Sequence, residues 1–322
     1  MTGSPLLARS REELSEALSA LAAQRGGDGL VGYVPTMGAL HEGHASLVRE
    51  ARRRVGRQGR VVVSIFVNPL QFAPTEDLDR YPRTLDADVE VCTENGADVV
   101  FAPSPEEVYP GGVRAGHTDE QITVDPGPLA LELEGRVRPT HFRGVLTVVA
   151  KLFGLVRPDV AVFGEKDYQQ LVLIRQMATN LCLGVEVVGA ETVREADGLA
   201  RSSRNRYLDP EQRQQATALH RVLSAAREAA DWGPDVAIEA ARAELRRSHG
   251  VDLDYLELRT PELAPLPGPP APLPEGTPAR ILIAARVGST RLIDNMPLTL
   301  GPRREPRTTP SSTPSSTRRG DL

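Results

Sequence analysis

The chain has 322 residues, 40% of them hydrophobic and 25% charged, which is ordinary globular composition with enough apolar material for two domains and excludes disorder of the whole chain. Its net charge of −5 disfavours nucleic acid as an electrostatic partner. No apolar run reaches the roughly 20 residues that cross a bilayer, the opening MTGSPLLARSREEL lacks a signal-peptide core, and two cysteines supply neither a disulfide framework nor a four-cysteine zinc site, so a reducing cytoplasm without a membrane partner is expected.

Between residues 29 and 194, short apolar runs alternate with helix-like stretches. The runs at 30–34, 61–67, 98–102, 159–163 and 185–188 are rich in Val and Ile and lack strict alternation. That pattern suits strands buried on both faces of a parallel sheet. Helical spacing falls at 44–54 and 169–183. The alternation predicts a doubly wound α/β sheet, with ligands beyond the carboxyl ends of its strands.

A second region begins near Val193. It holds two expected helices, 210–230 and 234–249, and two expected strands, 254–259 and 280–285. The intervening LAPLPGPPAPLPEGTP is too rich in proline for helix or sheet interior and is read as an extended loop. Residues 301–322 are Pro/Ser/Thr/Arg-rich and are expected to be disordered. The expected division is therefore 1–192, 193–300 and this tail.

Four segments carry candidate chemistry. In VPTMGALHEGHASL a strand gives way to a Gly-containing turn and then a helix. The amides of a helix start favour anions, and a glycine lets phosphate approach the backbone. His41 and His44, three apart, can face one space. As imidazolium, either can donate to a leaving pyrophosphate. In SIFVNPLQF, Asn68 and Gln71 follow a buried strand and offer neutral amides to a carboxylate, hydroxyl or amine. Asp86 and Asp88 follow, and Asp88 is a candidate magnesium ligand.

Of the 38 basic residues only Lys151 and Lys166 are lysine. A chain that otherwise uses arginine is expected to keep lysine where a compact ammonium is needed. Lys166 lies in FGEKDYQQL, after a strand and the turn at Gly164, where it suits a phosphate oxygen. Asp167 can orient it or hold a ribose hydroxyl, and Gln169 and Gln170 can contact substrate. Lys151 lies in an apolar helical run and is read as a snorkelling surface residue. In READGLARSSRNRYLDP, a flexible basic loop with Ser202, Ser203 and Arg204 can close over a triphosphate. Finally, GRVRPTHFRGVLTVVAKLF is read as a core helix whose start can touch a ligand through Arg136 or His141.

The segments PTMGALHEGH, SIFVNPLQF, FGEKDYQQL, READGLARSSRN and ARILIAARVGSTRLIDN, in this order, resemble the pantoate–β-alanine ligase family. HxGH alone marks only the wider nucleotidyltransferase superfamily. The resemblance implies a Rossmann-like amino-terminal domain, a smaller α+β carboxy-terminal lid and a homodimer. It implies condensation of (R)-pantoate with β-alanine at the expense of ATP, through an acyl adenylate and with Mg2+, releasing AMP and pyrophosphate. It points to Met37, Gly38, Ala39, Leu40, His41, Glu42, Gly43 and His44 as an ATP segment, with His44 as proton donor. It adds Gly164, Glu165, Lys166, Asp167, Val193, Arg201, Ser202, Ser203 and Arg204 to the ATP site. Gln71 and Gln170 are assigned to pantoate, and Gln71 also to β-alanine. Arg201 departs from the family, which has Leu or Met there.

Other readings fit less well. A different HxGH nucleotidyltransferase would stop at joining a nucleotide to a phosphate-bearing acceptor. A nucleotide-binding module without catalysis would lack His44 or Lys166. An NAD-dependent oxidoreductase would show GxGxxG after its first strand. A tRNA synthetase would need a large anticodon-binding region.

Overall fold

The computed structural model describes residues 4–27, 29–72, 83–115, 117, 120–268, 271 and 273–302. Nearly all of the expected disordered tail lies outside the described residues.

Strands β1 (Leu6–Ala8), β2 (Val31–Thr36), β3 (Arg60–Ile65), β4 (Val99–Phe101), β5 (Val160–Gly164) and β6 (Glu186–Ala190) form one parallel sheet in the order β1-β4-β3-β2-β5-β6. Successive side chains leave a strand on opposite faces. Tyr33 and Val62 accordingly join one core, and Val34, Val61 and Val63 the other. Helices α1 (Arg11–Arg25), α6 (His141–Val156) and α7 (Tyr168–Asn180) cover the first face; α2 (Glu42–Val55) and α3 (Leu85–Glu94) cover the second. The short helices α4 (Pro105–Val108) and α5 (Glu134–Val137) flank the first group. Burial on both faces explains the unbroken Val and Ile runs.

From β2 the sheet is extended by β3 on one side and by β5 on the other. This reversal opens a crevice at the carboxyl ends of β2 and β5.

The carboxy-terminal part is a separate α+β unit. Strands β7 (Val251–Arg259), β8 (Thr277–Val287) and β9 (Thr290–Leu300) form an antiparallel sheet. Helices α8 (Pro210–Glu228) and α9 (Pro234–Arg247) pack on one face. Helix α8 starts at a capping box between Asp209 and Gln212 with Pro210 at its first position, a strong local start signal. The other face sends Tyr255, Leu282 and Ala284 into the first core. Arg291 pairs with Glu134 across the junction at 2.6 Å, and the Tyr255 hydroxyl donates to the same carboxylate at 2.8 Å.

Strands β1 and β9 and helix α1 are among the elements that go beyond the sequence expectation. Strand β1 is only three residues long, with Leu6 and Leu7 exposed, so it has no readable run. Helix α1 is announced by the Ser10–Glu13 capping box and ended by Gly26 at φ 90°, but its apolar stripe is thin. Strand β9 contains Asp294, Asn295 and Pro297, which break an apolar pattern. Proline is tolerated there because β9 is an edge strand.

Candidate active site

Strand β2 ends at Thr36, whose hydroxyl donates to the Ser64 carbonyl at 2.7 Å and accepts from the Gly38 amide at 3.3 Å. The chain then turns through two positive φ values, 87° at Gly38 and 51° at Ala39. The Asp88 carboxylate fixes this turn by accepting from the amides of Ala39 (3.1 Å) and Leu40 (2.7 Å) and from the Thr84 hydroxyl. Asp88 is 2% exposed. Its oxygens are thus engaged in the turn, which gives the carboxylate a structural role. Among the described residues no group of three or more His, Cys, Asp or Glu side chains converges to hold a metal ion. Asp86 is exposed on the outer face of α3.

Helix α2 starts with an unusual cap. The Gly43 amide donates to Nδ1 of His41 at 3.1 Å, and the His41 amide donates to Nδ1 of His44 at 3.3 Å. The His44 amide bonds the His41 carbonyl at 2.8 Å. The amides of Gly43 and His44 are therefore occupied, which corrects the expectation that they receive phosphate. A backbone N–H can only donate, so each Nδ1 is the bare acceptor and each neutral ring carries its proton on Nε2. Burial, then the cations Lys166 and Arg201, pull the His41 imidazole below its ordinary value. Burial and the neighbouring His41 pull His44 down to about 3, with Lys166 adding to the effect and Asp167 opposing it. Burial therefore favours the neutral form of both rings, in which each can donate from Nε2.

Strand β5 ends at Gly164, and residues 165–167 make one turn of 3-10 helix before α7. Lys166 sits in the crevice, its side chain 17% exposed, 3.5 Å from Asp167. Partial desolvation works against ionisation of Asp167, whose side chain is half exposed, but Lys166 and Arg204 outweigh it and hold the carboxyl below its ordinary value. Glu165 points elsewhere: its carboxylate pairs with Arg280 of β8 at 2.9 Å. Its side chain thus makes a contact between the two parts of the chain.

After β3, Asn68 caps the short turn that carries Gln71. The Asn68 amide is fully buried; it donates to the Gly144 carbonyl at 3.1 Å and accepts from the Tyr109 hydroxyl at 2.8 Å. It anchors the turn and is not available to substrate, which corrects its expected role. Lys151, read as a snorkelling residue, lies with its ammonium 5.0 Å from the Tyr109 ring centroid. Gln71 reaches the crevice. Of the two adjacent glutamines at the start of α7, Gln170 faces the crevice, while Gln169 is 3% exposed and bonded to Leu129, Glu132 and Glu134 backbone groups.

The basic loop is a closed hairpin. Arg201 N–H donates to the Val193 carbonyl at 2.9 Å, Asn205 donates to the Ala200 carbonyl at 3.0 Å, and the Ser202 hydroxyl accepts from the Arg204 amide at 3.2 Å. The Arg201 guanidinium pairs with Glu195 at 3.1 Å while lining the crevice.

One cavity of about 440 Å³ joins these segments. It is lined by Met37, His41, Gly43 and His44, by Gly164, Lys166 and Asp167, by Gln71 and Gln170, and by Val193, Arg201, Ser202, Ser203 and Arg204. Gly38, Ala39 and Leu40 form the turn behind it, and Glu42 is exposed and paired with Arg49. His141 lines the cavity as expected; Arg136 instead lies 3.9 Å from Asp254.

Sequence reasoning missed two parts of the lining. Val145, Val148, Val149 and Leu152 of α6 make an apolar wall; their spacing reads equally as core. Arg138 stands beside His141, with a nitrogen 3.2 Å from the Gln71 carbonyl. Its place in the same basic stretch as His141 was the available signal.

The arrangement can hold a polyanion between two neutral imidazoles, an ammonium and a hydroxyl-rich basic loop. Beside it, two amides and an aliphatic wall suit a small hydroxylated, branched acid. The family model described as pantoate-beta-alanine ligase matches residues 7–297. A pantothenate synthetase from Nocardioides sp. is 67% identical over 306 residues, covering 94% of this chain and 88% of the relative. One from Nocardia farcinica is 56% identical, covering 87% of this chain and 82% of the relative. The crystal structure of pantothenate synthetase from Thermus thermophilus superposes with a TM-score of 0.78 at 47% identity, covering 90% of this chain and 98% of that one. The pantoate-beta-alanine ligase from Francisella tularensis, complexed with beta-gamma ATP and beta-alanine, gives a TM-score of 0.69 at 31% identity, covering 91% and 97%. With its fold, its cleft and these likenesses in agreement, the chain belongs to the pantoate–β-alanine ligase family.

Proposed function

We propose that this cleft forms pantothenate in two steps, a displacement at phosphorus and then an acyl transfer. Family membership sets the overall reaction, the ATP-dependent joining of pantoate and β-alanine. In the first step a pantoate carboxylate oxygen attacks the α-phosphorus of ATP, and the bond to the bridging oxygen of pyrophosphate breaks. In the second, the β-alanine amine attacks the acyl carbon of the adenylate, AMP leaves, and the amine gives up a proton.

No covalent nucleophile is required; the side chains align reactants and stabilise charge. Alignment can supply roughly 7–11 kcal/mol in favourable systems. The Nε2 protons of His41 and His44 and the Lys166 ammonium are assigned to phosphate oxygens, with the backbone turn 37–40 shaping the nucleotide end. Ser202, Ser203 and Arg204 close over the triphosphate and shield the adenylate from water. Gln71 and Gln170 are assigned to pantoate hydroxyl and carboxylate groups, and the α6 wall to its dimethyl carbon. Magnesium is read as arriving on ATP, where it neutralises phosphate charge; the engaged Asp88 carboxylate supports that reading over a protein-borne site. A cytoplasmic homodimer completes the proposal. The free Cys92 and Cys182 suit a reducing compartment, and light scattering tests the dimer.

The carrying observation is the single cavity in which Lys166 and both histidines share walls with Gln71, Gln170 and the aliphatic face of α6. The test is to incubate the purified chain with ATP, magnesium, pantoate and a panel of amines. Amide and AMP that require both pantoate and β-alanine support it. AMP release indifferent to β-alanine favours the other HxGH nucleotidyltransferase reading.

A further inference from the structure

The phosphate end of the cleft is built from two segments remote in sequence, the turn 164–167 and the hairpin 193–204. Consecutive residues of β9 hold both. Asn295, 3% exposed, donates from its amide nitrogen to the carbonyls of Glu165 (2.9 Å) and Lys166 (2.8 Å). Its amide oxygen accepts from Nε of Arg280 at 2.8 Å. Arg280 lies over the Tyr168 ring, 3.7 Å from its centroid, and reaches the Glu165 carboxylate. Asp294, also 3% exposed, takes Arg194 through both carboxylate oxygens at 2.7 and 3.0 Å. Arg194 in turn donates to the Gly198 carbonyl at 2.9 Å, at the hairpin's tip. Side chains of neighbouring strand residues diverge, so a single strand can grip two segments. Asp294 and Asn295 line small recesses beside the main cavity together with Lys166 and Arg204, and their polar atoms are engaged by the groups they hold.

We infer that Asp294 and Asn295 are positioning residues that set the Lys166 ammonium and the 202–204 segment in one register across the reacting phosphate. The inference rests on the adenylating reading of the cleft. It gives the small domain a defined role, with β9 as the ruler between two phosphate-binding segments. A misplacement of about 1 Å can cost on the order of a hundredfold in rate, so both anchors are expected to act on turnover more than on substrate affinity.

Pantoate-dependent exchange of labelled pyrophosphate into ATP reads adenylation alone. The proteins compared are the wild type, Lys166→Ala, Asn295→Ala, Asp294→Asn and Met296→Ala. Met296 is the next residue of β9 and is buried in the small domain's own core, so its truncation loosens the strand without releasing either segment. Asn295→Ala and Asp294→Asn are each expected to lower exchange kcat at least about tenfold, with the pantoate KM within about twofold of wild type. Met296→Ala, at comparable loss of thermal stability, is expected to keep kcat within about twofold. Adding Asn295→Ala to Lys166→Ala is expected to cost less than about threefold more, because the two act as a unit. Normal exchange in either anchor variant, losses matched by Met296→Ala, or full additivity with Lys166→Ala overturns the inference. Should Asn295→Ala fail to fold, Asn295→Asp decides: it keeps the shape and the contact with Arg280 but sets oxygen against the two carbonyls, and wild-type exchange in it is the overturning result. Exchange that survives Lys166→Ala overturns the underlying reading of the cleft instead.

Discussion

The rings of His41 and His44 stand 4.2 Å apart, centroid to centroid, inclined by 41°, and each is held by a backbone N–H at Nδ1. Two imidazoles this close, recessed and facing Lys166, cannot readily both be charged. They are proposed to act as neutral Nε2–H donors, and a pH behaviour follows. The folded-state value of His44 is about 3 against an ordinary 6.5. Between those values the unfolded chain binds more protons than the folded one, so His44 makes stability fall as pH drops from 6.5 toward 3. His44→Asn is expected to flatten that slope by up to about 1.4 kcal/mol per pH unit; denaturant midpoints at pH 4, 5, 6 and 7 measure it. In the free enzyme, kcat/KM for ATP is expected to show no limb from His44 between pH 6 and 8. A limb near 6.5 that vanishes in His44→Gln would instead assign an imidazolium. His44→Ala itself is expected to cost roughly a hundredfold in adenylation, the usual loss for one preorganised donor.

Asp88 is proposed to act through the turn that it fixes. It holds the amides of Ala39 and Leu40 in a turn that passes through two positive φ values. Asp88→Ala leaves those amides without their partner and frees the backbone under the nucleotide. The expected outcome is a KM for ATP raised about tenfold or more, unchanged when magnesium is raised from equimolar to large excess. Recovery with added magnesium would restore the metal assignment. A drop in melting temperature is expected alongside, since charged buried acceptors contribute about 1.5–3 kcal/mol per hydrogen bond.

What the sequence made legible is what lies at strand ends. His41, His44, Gln71, Lys166 and Gln170 all follow an apolar run directly or within a short turn, and all line the cleft. Lys166 stood out further because the chain has only one other lysine. The errors share one cause. Asn68, Glu165 and Gln169 lie just after strands and Asp88 in the first turn of α3; all have the right chemistry, but their side chains turn back onto backbone or ion-pair partners. Residue type and spacing do not record which way a side chain turns. The α6 wall was hidden because an apolar helix face reads the same against a core as against a ligand, and Asn295 because its partners lie about 130 residues earlier.

Asn68 and Gln71, three residues apart on one turn, are expected to fail differently. Asn68→Ala removes a buried donor to Gly144 and strands the Tyr109 hydroxyl. It is expected to cost about 1–3 kcal/mol of folding stability, read as a shifted urea midpoint. Gln71→Ala removes an amide from the cavity lining and is expected to leave the midpoint within about 0.5 kcal/mol of wild type while raising the pantoate KM. Similar midpoints for both variants would mean that the Asn68 network is not what anchors the turn.

Gly43 supplies the last prediction. It is not held at a positive φ, so its backbone accepts other residues, and alanine is the better helix former. The constraint is space: a Cβ at this position would lie 2.7 Å from Cε1 and 2.9 Å from Nδ1 of His41. The glycine therefore makes room for the imidazole that caps α2, whatever it also permits to a phosphate. Gly43→Ala must push that ring off the Gly43 amide. The expected result is an unchanged or slightly higher melting temperature with adenylation reduced at least about tenfold, since the ring shifts by a sizeable fraction of an ångström at the reacting end. The double variant Gly43→Ala, His41→Ala tests the route. With the ring gone the new methyl has nothing to displace, so the glycine substitution is expected to cost less than about twofold in that background. A full additional loss there would mean that the methyl obstructs the phosphate directly.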